Sequence, residues 1–130
     1  MYSKFGQFID GKWIKSKDSY EVINPATEEI IGKVSKASPS DVDKALKSAE
    51  KGFTVWKKFS PWDRAKIIRK IADLMRKKNN ELAQWMTLET GKPISESLAE
   101  VSGSADIFEW NAEETKRIYG QTVQSRFENT

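Results

Sequence analysis

Four glutamates are the first candidates for chemistry in this 130-residue chain: Glu100, Glu109, Glu113 and Glu114. Paired carboxylates can act as general acid and general base when their environments push their proton affinities apart. On a helix, Glu109 and Glu113 lie four residues apart on one face. Lys116 and Arg117 follow closely, so a solvated, charge-compensated face is the expectation. A second candidate is Gly91-Lys92, which looks like a phosphate-binding pair. It lacks the upstream glycine and the following Ser or Thr of a phosphate loop. A helix end followed by a proline-started helix explains it better. The sequence holds no cysteine and no histidine. It therefore has no thiolate nucleophile, no disulfide and no thiolate metal site of its own. Its seven glycines are too far apart for a dinucleotide loop.

The elements that would position these residues divide into a β part and a helical part. Phe5 to Ile9 and Lys12 to Lys15 flank Asp10-Gly11, a strong signal for a two-residue hairpin turn. Tyr20 to Ile23 and Glu29 to Ser35 read as a second strand pair. Asn24-Pro25-Ala26-Thr27 turns the chain between them. Ser38-Pro39-Ser40-Asp41 then gives an N-cap, a proline at the first helical position and an early carboxylate. Val42, Ala45, Leu46, Ala49, Phe53 and Trp56 follow at helical spacing. Ser60-Pro61-Trp62-Asp63 repeats the start signal ahead of Ile68, Ile71, Ala72 and Met75. Asn79 or Asn80 is placed to cap a third helix, which ends at Thr90 with Gly91 after it. Lys92-Pro93 starts a fourth, long helix with a stripe of Leu98, Val101, Ala105, Phe108 and Ala112, closed by Gly120. The expected architecture is two antiparallel hairpins over residues 5–35, then about four helices over 39–119. Residues 121–130 read as the start of an extended segment.

Several of these pieces, in this order, resemble the N-terminal region of the NAD(P)-dependent aldehyde dehydrogenases. Phe8-Ile9-Asp10-Gly11-Lys12-Trp13 is similar to that family's opening hairpin. Val22-Ile23-Asn24-Pro25-Ala26-Thr27 resembles its "NPAT" turn. Ala37 to Val42, with Ala45 and Ala49, resembles its first helix. Trp56, then Arg64, resemble the head of the second. Leu88-Glu89-Thr90-Gly91-Lys92-Pro93 is close to the signature "ETGKP" turn. Glu100-Val101 and Tyr119-Gly120-Gln121-Thr122 fit the next helix and its exit. Within the family, Ile107-Phe108-Glu109-Trp110-Asn111-Ala112-Glu113-Glu114 and Lys116-Arg117-Ile118-Tyr119-Gly120 look most like the succinate-semialdehyde branch. Asn111 departs from the aromatic residue usual in that run.

The resemblance implies an α/β parent fold, with residues 1–120 forming the N-terminal part of a cofactor-binding domain. It implies that 121–130 leads toward an oligomerisation domain. It also implies oxidation of an aldehyde to its acid, with NAD or NADP as cofactor. In the family, a cysteine thiolate attacks the carbonyl, an asparagine and a backbone N–H hold the oxyanion, and a glutamate activates water. Those groups and the pyrophosphate turn belong to the family pattern beyond position 130. This chain is thus expected to be inactive alone and to bind no dinucleotide tightly. The rest of an aldehyde dehydrogenase chain is its expected partner, within a homo-oligomer. Two groups of site residues carry over. A monovalent cation site falls on the Ile23 carbonyl and Glu89, since hard cations take oxygen ligands. A substrate-tunnel wall falls on Gly103, with Ala99 and Ile107 one turn either side.

The bulk numbers bound the alternatives. Thirty-eight per cent apolar residues and five tryptophans suffice for a folded domain, despite 32% charged residues. A net charge of +3, with lysine and glutamate interspersed, argues against a nucleic-acid binder. No window is apolar enough for a membrane span, and the N-terminus does not read as a secretion signal. A cytoplasmic location is expected. The competing reading is a naturally short module that dimerises or binds without chemistry.

Overall fold

The computed structural model describes residues 6–121 and 125–127. The remaining positions, including the expected strand start at Phe5 and most of the segment 121–130, lie outside the described residues. The architecture is the expected one: two antiparallel hairpins, then four helices.

β1 (Gln7–Ile9) pairs with β2 (Lys12–Ile14), setting Phe8 opposite Trp13 and Ile9 opposite Lys12. Asp10 and Gly11 both take positive φ, +53° and +73°. That is the turn whose twist matches two paired strands. β3 (Ser19–Ile23) pairs with β4 (Ile30–Ser35), with a register irregularity between Val22 and Ile23. The turn that joins them is organised by buried Asn24. Its Oδ1 accepts from the Ala26 N–H at 2.9 Å. Its carbonyl accepts from Glu28 at 2.8 Å, and its own N–H donates to the Glu29 carbonyl at 2.9 Å. Three backbone groups find partners through one residue, which is why an asparagine suits the position.

α1 (Pro39–Trp56) and α2 (Pro61–Lys77) start as their Ser-Pro signals predict. Ser38 Oγ accepts from the Asp41 N–H at 3.2 Å, and the Asp41 carboxylate accepts from the Ser38 N–H at 3.1 Å. Two orphan donors are satisfied reciprocally. Hydrogen bonding from Ser38, through side chain first and backbone second, holds the Asp41 carboxyl below the ordinary range. Ser60 Oγ caps α2 by accepting from the Asp63 N–H at 3.1 Å.

Three helix ends differ from the sequence expectation. α3 (Asn79–Thr90) follows α2 after Lys78 alone, so Asn79 is the first helical residue and caps nothing. Lys78 holds φ −103° and ψ 15°, and its carbonyl accepts from Leu82 at 2.9 Å. The backbone there never opens into the extended form that a capping side chain requires. α4 (Ile94–Glu114) begins one residue after Pro93, whose carbonyl accepts from Glu96 and Ser97. It also ends before Gly120, tightening into a 3-10 turn at Thr115–Arg117. The Thr115 hydroxyl lies 2.8 Å from the Ala112 carbonyl and 3.1 Å from the Pro61 carbonyl. This tie to the head of α2 stops α4, and Ile118 leaves helical space at ψ 89°.

The packed centre lies between α2, α3 and α4. Its buried apolar residues are Ala65, Ala72, Ala83, Val101, Ala105 and Ala112, so methyl groups dominate the contact. Buried Ser97 joins them, its Oγ 2.8 Å from the Thr87 hydroxyl. In contrast, α1 buries no residue. Leu46 and Phe53 remain 64% and 63% exposed along its apolar stripe, so that stripe is uncovered. Among the described residues, no helix is long and apolar enough to cross a membrane.

Candidate functional site

The structure disperses the glutamates of α4 into ion pairs. Arg76 of α2 donates from Nη2 to Asp106 at 2.8 Å and to Glu109 at 2.5 Å. Arg69, seven residues earlier and on the same helical face, pairs with Glu113. Lys116 Nζ meets Glu113 at 2.9 Å, and Arg117 pairs with Glu114. Glu100 pairs with Lys92 in the preceding turn. The hydrogen bond from Lys116, reinforced by Arg69, holds the Glu113 carboxyl below the ordinary range. Hydrogen bonds to Asp106 and then Glu109 raise Arg76 further. A general acid needs the opposite shift, toward neutrality. This ladder therefore fastens α4 to α2. Lys116 and Arg117 were expected beside these glutamates; Arg69 and Arg76 were not. Their seven-residue spacing in α2 was the available signal.

The two turns behind the expected cation site meet. Gly91 ends α3 with φ +73° and ψ 3°, and its N–H donates to the Thr87 carbonyl at 2.9 Å. A Cβ built on Gly91 would lie 3.1 Å from the Ala26 nitrogen and 3.1 Å from Pro25 Cγ. The turn that follows Glu89 thus rests on the turn that follows Ile23. Both residues are exposed. Among the described residues, no group of three or more acidic side chains gathers as a metal cluster.

Ala99, Gly103 and Ile107 recur at four-residue spacing along α4. Its packed side carries Ser97, Val101, Ala105 and Ala112. All three expected tunnel residues are exposed, and a Cβ on Gly103 would meet open space. The structure therefore presents them as one accessible stripe.

A pyrophosphate needs backbone at close approach, which glycines permit. Apart from Gly32 in β4, two of the described glycines have close neighbours, and both are filled from within. Gly91 faces Ala26 and Pro25, and Gly6 faces the Ile14 carbonyl. Gly11, Gly52, Gly103 and Gly120 border open space singly.

Residues 13–130 match the profile of the aldehyde dehydrogenase family. The chain is 42% identical over 118 residues to succinate-semialdehyde dehydrogenase [NADP(+)] of Saccharomyces cerevisiae, covering 90% of this chain and 24% of that protein. It is 38% identical over 118 residues to glutarate-semialdehyde dehydrogenase of Pseudomonas aeruginosa, covering 89% and 24%. In three dimensions it is similar to a point mutant of betaine aldehyde dehydrogenase from Staphylococcus aureus in complex with NAD+. The TM-score is 0.90 at 30% identity, over 95% of this chain and 26% of that one. The chain thus spans about a quarter of the length of the relatives it matches.

Proposed function

The chain belongs to the aldehyde dehydrogenase family, and from that premise we propose that it forms the N-terminal part of the cofactor-binding domain of an NAD(P)-dependent enzyme. The substrate in this reading is a short semialdehyde of the succinate-semialdehyde kind, oxidised to the carboxylic acid. The observation that carries the reading is the 42% identity over 118 residues to a succinate-semialdehyde dehydrogenase.

The parts played by these residues follow from their placement. α4 contributes Ala99, Gly103 and Ile107 to a tunnel wall, where small side chains leave room for the aldehyde. The contact between the turns of Ile23 and Glu89 supports an oxygen-lined monovalent cation site near that seam. The thiolate, the oxyanion donors and the dinucleotide belong to other parts of the enzyme in this reading, in keeping with a sequence that has no cysteine. Residues 121–130 lead toward an oligomerisation domain, and a cytoplasmic homo-oligomer completes the reading.

Two assays test it. The purified 130-residue chain, mixed with succinate semialdehyde and NAD+ or NADP+, is expected to form no reduced cofactor. An enzyme carrying these residues in front of a complete aldehyde dehydrogenase body is expected to prefer succinate semialdehyde to betaine aldehyde in kcat/KM. Turnover by the isolated chain overturns the incomplete-enzyme reading, and the reverse preference overturns the substrate.

A further inference from the structure

Two neighbouring surface cavities lie between the first hairpin and α1, away from α4 and from the turns of Ile23 and Glu89. One, of about 260 Å³, is lined by Ile9, Asp10, Lys44, Lys47, Ser48 and Lys51. The other, of about 410 Å³, is bordered by Lys15, Lys17, Lys36 and Lys44 together with Asp18 and Asp41. Lys44 borders both, so the two form one groove. Six lysines face three aspartates there, a surplus as large as the net charge of the whole chain.

Those aspartates are already engaged or outnumbered. Asp10 accepts from the Ser48 hydroxyl at 3.2 Å. Asp41 is held by the Ser38 cap and lies 3.5 Å from Lys44. Lys36 lies 5.1 Å from the centre of the Tyr20 ring. Among the described residues, Lys15, Lys17, Lys47 and Lys51 have no ion-pair partner. Asp43 and Glu50 lie about a quarter-turn round α1, off the groove. On the helix, Lys44, Lys47 and Lys51 share one face, and among the described ion pairs Asp41 offsets Lys44 alone.

We propose that this groove binds the phosphate groups of a small polyphosphorylated molecule. Its volume is that of a small-molecule site. Its cations are all lysines, which act as mobile point charges on phosphate and lack the planar fork with which arginine clasps a carboxylate. Their spread over two joined cavities suits several linked anionic groups better than one. The walls are fixed: the Asp10-Gly11 turn sets the hairpin, and the Ser48–Asp10 hydrogen bond holds it against α1.

Calorimetric titration of the full 130-residue chain with tripolyphosphate tests the proposal. Saturable one-to-one binding is expected, weakening as salt rises. Each exposed pair contributes up to about fivefold in affinity, so Lys47→Gln with Lys51→Gln should weaken binding several-fold, up to about twenty-five-fold. Lys66→Gln with Lys70→Gln, on α2, should leave it unchanged. Circular dichroism checks that both double variants keep their helices. Absence of saturable binding, or equal losses in the two folded double variants, overturns the site. Much tighter binding of a single-stranded oligonucleotide than of tripolyphosphate overturns the small-molecule occupant.

Discussion

Gly91 stands so close to Ala26 that a β-carbon on it would lie 3.1 Å from the Ala26 nitrogen. Its φ of +73° adds a second reason for glycine. Gly91→Val puts a branched side chain into left-handed space, at a cost of roughly 1–2 kcal/mol before any clash. Asn tolerates that backbone, so Gly91→Asn is expected to be milder. It still introduces a β-carbon against backbone, so it should fall clearly below the parent protein. Denaturant titration should rank the three as parent, Asn, Val. Equal stability of the two variants would remove the left-handed turn from the account.

Acid should loosen α4 from α2. The folded state depresses the proton affinity of Glu113, through Lys116 first and Arg69 after. A depressed carboxylate stabilises the fold fully above its ordinary unfolded range. That contribution disappears as pH falls through the lower folded value. Asp41 in the α1 cap behaves with the same sign. Glu113→Gln should therefore lower stability slightly at neutral pH and leave it unchanged in acid, flattening the acid limb by the same small amount, because the pair is exposed. An unaltered acid limb in the variant would assign the pH dependence to other carboxylates.

The hydroxyl pair Thr87–Ser97 allows a cleaner energetic test. Ser97 is fully buried, and its partner oxygen is 2.8 Å away. Ser97→Ala strands the Thr87 hydroxyl and should cost about 1–3 kcal/mol. Replacing both, with Thr87→Val beside Ser97→Ala, should recover much of that loss, since neither polar group is then left alone. Chemical denaturation of the two singles and the double closes the cycle. Strict additivity would mean the hydroxyls do not interact.

Self-association is expected of the isolated chain. The α1 stripe holds Val42, Leu46 and Phe53 in solvent, with Phe8 and Trp13 also exposed on the hairpin. Apolar patches of several hundred Å² on a monomer commonly mark an interface. Leu46→Lys with Phe53→Lys should shift light scattering toward monomer. A parent chain that stays monomeric at high concentration would count against an interacting face.

What could be read from the sequence was local. Asp10-Gly11, the Ser38 and Ser60 caps and the left-handed Gly91 are each decided within four or five residues, by backbone donors and steric limits. The apolar stripe of α1 was legible too, because periodicity needs no partner to be visible. Long-range ties were not. Thr115 ends α4 by reaching Pro61, and Arg76 meets Glu109 from a different helix. No spacing inside α4 announces either contact. Asn79 misled because a good capping residue followed a backbone that bends at Lys78 without opening into the extended form. For the candidate site, the glutamates were rightly read as a charged face, but their arginine partners required the packing of α2 on α4.

The alanine seam between α2, α3 and α4 has a calorimetric consequence. Heat capacity and denaturant sensitivity both scale with the apolar area that unfolding newly exposes. Here many large side chains already meet water, while the hidden ones are Val101 and five alanines, Ala65, Ala72, Ala83, Ala105 and Ala112, which contribute little area each. Melting such a seam should raise the heat capacity by less than the usual ~12–15 cal/mol/K per residue. The helices hold together by backbone proximity more than by hydrophobic gain. That leaves the unit easily remodelled until a larger apolar surface closes over it.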